Sequence, residues 1–151
     1  MEIRVPAPVE RIIGQLNEHG YEAYIVGGCV RDLLLGRVPT DYDITTSALP
    51  PQTKEVFRDR RVVETGIRHG TVTLLEEGLP LEITTYRVDG TYSDARHPDG
   101  VTFTASLRED AARRDFTVNA MAYAPGLGLQ DYFGGQEDLA RRLIRAVGDP
   151  D

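Results

Sequence analysis

With a single cysteine in 151 residues, the chain can form no internal disulfide. That residue, Cys29, has no histidine near it in sequence and reads as a small buried packing side chain. No apolar run approaches the ~20 residues that a helical membrane span requires. The opening MEIRVPAPVE carries no signal-peptide pattern, so no membrane association and a cytoplasmic location are expected. Basic residues are also in short supply, 17 against 24 acidic ones, for a formal net charge of −7. Neither half compensates: residues 1–75 hold 9 basic and 10 acidic residues, residues 76–151 hold 8 and 14. This excludes a broad basic footprint for nucleic acid, so a polyanion would have to be met by a local arginine-lined face or by another domain. Internal repeats and low-complexity tracts are absent. Two common phosphate-binding patterns are missing as well: no third glycine completes a dinucleotide fingerprint, and no Gly-Lys-Ser/Thr completes a Walker loop. What remains is an ordinary globular composition, 40% hydrophobic and 27% charged, in a chain the size of one domain.

Against these absences stands the run GGCVRDLLLGRVPTDYD, residues 27–43. Asp41 and Asp43 lie two apart, so on a strand both carboxylates share a face and can reach the same divalent cations. Tyr42 and Ile44 then point to the opposite face, toward a core. Gly27 and Gly28 follow the apolar stretch YEAYIV and precede the helix-like VRDLLLG. Backbone N–H groups at such a junction suit an anion such as a triphosphate, and Arg31 adds a fixed positive charge one turn on. Taken singly, Asp-x-Asp is more often a cap or turn, and Gly-Gly a tight turn that packs closely. All three elements in seventeen residues point to a metal and phosphate site.

Helical spacing of Val9, Ile12, Ile13 and Leu16 predicts a first helix, entered at proline and stopped at Gly20. Residues 21–26 read as a strand, 30–35 as a helix ended by Gly36, 40–45 as the carboxylate strand, and 51–57 as a short helix. Residues 61–63, 71–75 and 81–87 read as strands, and 89–100 as a long polar loop. Ser106 and Glu109 have capping-box spacing at the start of a helix. A second helical segment including Val118, Met121 and Ala122 should place Asp115 and Asn119, four apart, on one face. A strand at 130–132, a helix over QEDLARR and a strand over LIRAV close the chain. Helices and strands intermix without strict alternation, which predicts an α+β fold with a mixed sheet.

Residues 66–72 (GIRHGTV), 81–87 (LEITTYR) and 113–122 (RRDFTVNAMA), together with GGCVRD and DYD, resemble one family. It is the catalytic head of the tRNA nucleotidyltransferases and bacterial poly(A) polymerases, the class II branch within the DNA polymerase beta superfamily. The resemblance runs from about Gly20 to Gly148. It implies a polymerase-beta-like nucleotidyltransferase fold across residues 1–151, with the family's helical neck, body and tail regions and its Glu-Asp-x-x-Arg base-reading motif absent from this sequence. It also implies addition of CMP and AMP, from CTP and ATP, to the tRNA 3′ end by a mechanism using two Mg²⁺ ions. A poly(A) polymerase, a CC-adding or an A-adding enzyme would share these motifs; a non-catalytic nucleotide-binding module is the reading from another class.

By the same resemblance, Asp41 and Asp43 hold metal, and Glu82 stands where the superfamily has a third carboxylate; its plainer role is an exposed strand glutamate or a partner for Arg87. Gly28 and Arg31 match triphosphate-binding positions, with Gly27 shaping the turn, and Asp32 matches a residue that orients an arginine. Arg114 matches a nucleotide-binding arginine beside Arg113, while Asp115 and Asn119 match residues that contact the ribose. Tyr92, Asp94, Arg96 and His97 fall in the family's flexible loop, where His97 replaces the second of two adjacent arginines. His69 reads as structural. His19 sits at a helix C-terminus, where the dipole favours a cation.

Overall fold

The computed structural model describes residues 3–66, 70–89 and 101–147. The first helix, α1 (Ala7–Glu18), buries Val9, Ile12, Ile13 and Leu16, the stripe that its period predicts. Burying side chains of this size contributes about 1.5–3 kcal/mol each. Strand β1 (Ala23–Val26) leads through Gly27 into α2 (Gly28–Leu34), and β2 (Tyr42–Thr46) follows. Next come α3 (Pro50–Val56), β3 (Val62–Gly66), β4 (Thr71–Glu76) and β5 (Leu79–Thr85). A small ribbon pairs β6 (Arg87–Asp89) with β7 (Val101–Phe103). The chain closes with α4 (Leu107–Ala112), a single 3₁₀ turn (Thr117–Asn119), β8 (Ala122–Ala124), β9 (Gly128–Gln130) and α5 (Gly135–Ala140).

Seven strands form one mixed sheet in the order β3-β4-β5-β2-β1-β8-β9. Only β2 and β5 run parallel; the other neighbours are antiparallel. The expected α+β mixed sheet flanked by helices is therefore observed. Alternation along each strand divides the sheet into two faces with different tasks. On one, Ile25, Tyr42, Ile44, Val72, Leu74, Leu81 and Ile83 join the α1 stripe and Phe57 in the main core. On the other, Tyr24, Val26, Ala122 and Ala124 pack with Tyr86 and Leu107 in a smaller cluster. Register sets Val26 beside Asp43, Asp43 beside Glu82, and Glu82 beside Thr73 across this second face. The period-2 expectation holds: Tyr42 and Ile44 are buried, and Asp43 is on the open side.

Three expectations need correction. The second helical segment expected around Val118, Met121 and Ala122 does not form; α4 ends at Ala112, residues 117–119 make one 3₁₀ turn, and Ala122 already belongs to β8. The cause is long-range pairing. The Thr117 N–H donates to the Arg145 carbonyl at 2.9 Å, the Val147 N–H donates to the Asp115 carbonyl at 3.1 Å, and Phe116 bridges Ala146. The strand expected over LIRAV is reduced to that bridge. Finally, the capping box is relayed: Ser106 Oγ accepts the Glu109 N–H at 3.2 Å, but the Glu109 carboxylate takes the Thr104 hydroxyl at 2.5 Å, and Thr104 takes the Ser106 N–H at 3.3 Å. The 89–100 loop, apart from Asp89, and His69 lie outside the described residues.

Candidate active site

Gly27 turns the chain from β1 into α2 at φ 84°, in the region that favours glycine. A Cβ there would stand 3.6 Å from Arg114 Nη1 and 3.9 Å from Asp43 Oδ2, so the bare backbone lies directly between a guanidinium and a carboxylate. A Cβ on Gly28 would come 3.2 Å from Arg31 Nη2. Arg31 is held on both sides: Nη1 donates to Asn119 Oδ1 at 3.0 Å, and Nε and Nη2 donate to Asp32 Oδ1 at 3.3 Å. Asp32 thus orients an arginine, the part that resemblance assigned to it. Cys29 is buried, its thiol donates to the Val26 carbonyl, and burial pushes its pKa up to about 11. Its burial and contacts are those of a packing residue.

Asp110 is a buried anchor beside the site that the sequence pattern did not reveal. It is fully buried, and its carboxylate accepts from Thr45 Oγ1 at 3.1 Å and from the Arg87 backbone N–H at 3.0 Å. Arg113 Nε at 3.3 Å and Arg114 Nη2 at 3.4 Å complete its shell. The i, i+3 and i, i+4 spacing to the arginine pair was a usable signal, because such neighbours meet on one helical turn. Arg114 retains a buried Nε with no hydrogen-bond partner among the described residues. Burial, then the neighbouring Arg113 charge, lowers its affinity for its proton, against the pull of Asp110 and Asp43.

Asp43 is in the opposite condition. Solvent reaches part of its side chain, yet the protein behind it withholds enough water to raise its pKa to about 6. A hydrogen bond with Glu82 and the charges of Glu82 and Asp41 raise it further, with Arg114 opposing. Asp41 stands just before β2, exposed, where its charge reaches Asp43. Among the described residues no group of three or more His, Cys, Asp or Glu side chains is gathered closely enough to hold an ion by itself. The abutting pair Asp43–Glu82 is all-oxygen, which fits a hard cation with its remaining places open to water and phosphate.

Two pockets meet at Asp43, Arg113 and Arg114. One, about 250 Å³, is lined also by Gly27, Gly28, Asp115 and Asn119. Asp115 and Asn119 therefore line one pocket, brought there by the bridged turn and not by a helix face. The other, about 200 Å³, extends over β4 and β5 and is lined also by Thr71, Glu82, Thr84 and Arg87.

A mixed sheet with carboxylates on its open face and a glycine turn beside them is the arrangement of the nucleotidyltransferase fold. The family described as "Poly A polymerase head domain" matches residues 23–145, and the chain belongs to that family. A CCA-adding enzyme of Geobacillus thermodenitrificans is 54% identical over 140 residues, covering 93% of this chain and 34% of the relative. One from Limosilactobacillus fermentum is 50% identical, over 95% of this chain and 35% of its own length. The chain thus spans about a third of the curated relatives it matches. The crystal structure of the Bacillus stearothermophilus CCA-adding enzyme in complex with CTP superposes with a TM-score of 0.83 at 46% identity. That match covers 95% of this chain and 34% of the other.

Proposed function

We propose that this chain is the catalytic head of a template-independent tRNA nucleotidyltransferase, adding CMP and AMP from CTP and ATP to the tRNA 3′ end. The observation that carries this reading is the meeting of the two pockets at Asp43, with the glycine turn, Asp115 and Asn119 lining one and Glu82 lining the other. The triphosphate lies along Gly27 and Gly28, its charge met by Arg31 and Arg114. Asp115 and Asn119 face the ribose. The acceptor 3′-oxygen bonds to the α-phosphorus, the bond to the bridging oxygen breaks, pyrophosphate leaves and the hydroxyl proton passes to water. Asp41, Asp43 and Glu82 would hold two Mg²⁺ ions, which when bound lower the hydroxyl pKa and neutralise the departing charge. The chain's own part is to hold the reactants in line and to bring the carboxylates together on one face of the sheet.

Support also comes from the CCA-adding enzymes among its relatives and from a tRNA nucleotidyltransferase solved with a primer tRNA and an incoming ATP analog, 38% identical at a TM-score of 0.72. No helix among the described residues is long and apolar enough to cross a membrane; we place the protein in the cytoplasm. Labelled CTP and ATP, offered with a tRNA lacking CCA, test the reading. Ordered addition of two CMP and one AMP is expected. Runs of AMP alone would make it a poly(A) polymerase head, and nucleotide binding without transfer a non-catalytic module.

A further inference from the structure

Asp110 divides its two oxygens evenly. Oδ1 accepts the Arg87 backbone N–H at 3.0 Å and Arg113 Nε at 3.3 Å. Oδ2 accepts Thr45 Oγ1 at 3.1 Å and Arg114 Nη2 at 3.4 Å. Each oxygen thus joins one donor held in a strand to one arginine just beyond α4, and the two strand donors keep the carboxylate from turning about its own bond. Thr45 is fully buried on β2, two residues along from Asp43 and on the same face. Its neighbours in register are Tyr24 and Thr84. Valine, also β-branched, would fit the pleat with nearly the same shape. What threonine adds is a hydroxyl, and its proton goes to Asp110.

Arg114 has little else to direct it. Its Nε is buried without a hydrogen-bond partner among the described residues, so its aim rests on the Nη2 bond to Asp110. Its Nη1 lies where a Cβ on Gly27 would be 3.6 Å away. The links Thr45–Asp110–Arg114 therefore run from the strand that carries Asp43 to a guanidinium at the glycine turn. We propose that Thr45 is a positioning residue for nucleotide binding: its hydroxyl fixes Asp110 Oδ2 and, through it, the reach of Arg114 toward a phosphate at Gly27. Arg113, held by the other oxygen, stands outside this link. The inference rests on the transferase reading above and deepens it.

The test is a double-mutant cycle in the polypeptide as naturally expressed, with CTP binding measured by titration calorimetry in the presence of Mg²⁺. Thr45→Val should weaken CTP binding by about three- to tenfold, the size of coupling within one hydrogen-bonded network. Thr45→Ser, which keeps the hydroxyl, should bind CTP as the wild type does. In an Arg114→Gln background Thr45→Val should cost CTP binding nothing further; in an Arg113→Gln background it should cost its full share. Should Thr45→Val not fold, Thr45→Ala takes its place in the same cycle. Losses that add to those of Arg114→Gln, or a serine variant as weak as the valine one, would mean that Thr45 acts through packing alone. Either result overturns the assignment while the transferase reading stands. A wild-type protein that transfers no CMP overturns the transferase reading and this inference with it.

Discussion

Asp110 and Asp43 lie on the same side of one sheet, and both are tied electrostatically to Arg114, yet they occupy opposite physical states. Asp110 is fully buried and accepts from two arginines, a hydroxyl and a backbone N–H. Asp43 meets another carboxylate, Glu82, and holds its proton up to about pH 6. A satisfied carboxylate organises its surroundings; a frustrated one carries a repulsion that a bound cation would offset. The difference teaches where stability and chemistry are kept apart on this face, and it can be attacked from either end.

The largest effect belongs to the frustrated end. Asp43→Ala should abolish transfer by several orders of magnitude, since cation charge stabilisation is worth several kcal/mol. The fold should survive, because the strand's buried neighbours Tyr42 and Ile44 are untouched. Asp41→Ala should follow the same pattern, through its charge at the rim. Rate assays beside circular dichroism check both, and near-normal turnover in either variant would remove that residue from the metal assignment.

Asp110→Ala attacks the satisfied end and should reverse the pattern, costing stability first. Removing one partner of a buried charge cluster costs about 3–5 kcal/mol. Here it also strands the Thr45 hydroxyl and the Arg87 N–H. Urea denaturation measures the loss. An Asp110→Ala protein as stable as wild type would mean that the cluster is not what fixes the arginines.

Asp43 was readable in advance because its environment is local: a strand alternates, and Asp-Tyr-Asp-Ile sorts itself onto two faces. Glu82 is legible the same way once β5 is recognised, since Leu81 and Ile83 flank it as core residues. The segment around Asp115 was not. Arg113 to Asn119 has helical spacing, but residues 115–117 are hydrogen-bonded to residues some thirty positions later, and no local period records such a partner. The same pairing explains the missing LIRAV strand, whose hydrogen-bonding capacity goes to that turn. Asp110 was overlooked for a different reason. Its i, i+3 and i, i+4 arginines suggest an exposed ion pair, and only Thr45 and Arg87, brought in from β2 and β6, make it a buried hub.

A smaller effect is expected beside the comparison, at Asp115, an exposed carboxylate on the lining of the 250 Å³ pocket with Asn119. If the two hydrogen-bond the ribose, the preference for CTP over dCTP should fall about tenfold in Asp115→Ala, the worth of one hydrogen bond to a charged group. Competition between the two nucleotides in one reaction reads this ratio directly. An unchanged ratio would reduce Asp115 to a carbonyl that anchors Val147.

The gentlest prediction uses the proton as a probe of Asp43. Its pKa in the folded chain is raised, to about 6, chiefly by burial and then by Glu82. Between the ordinary carboxylate range and pH 6, the native state therefore binds more protons than the unfolded chain, and stability falls as pH rises through that window. Above pH 6 the ionised pair remains as a standing cost, and Mg²⁺ should offset it by taking the proton's place. Asp43→Asn, which cannot ionise, should melt a few degrees above wild type at pH 8 and level with it near pH 4. Added Mg²⁺ should raise the wild-type melting temperature at pH 8 and leave that of Asp43→Asn almost unmoved. Scanning fluorimetry at the two pH values, with and without Mg²⁺, measures all four cases. A greater gain for Asp43→Asn at the acid end would mean that Asp43 is stabilised as an anion, and the contrast with Asp110 would collapse.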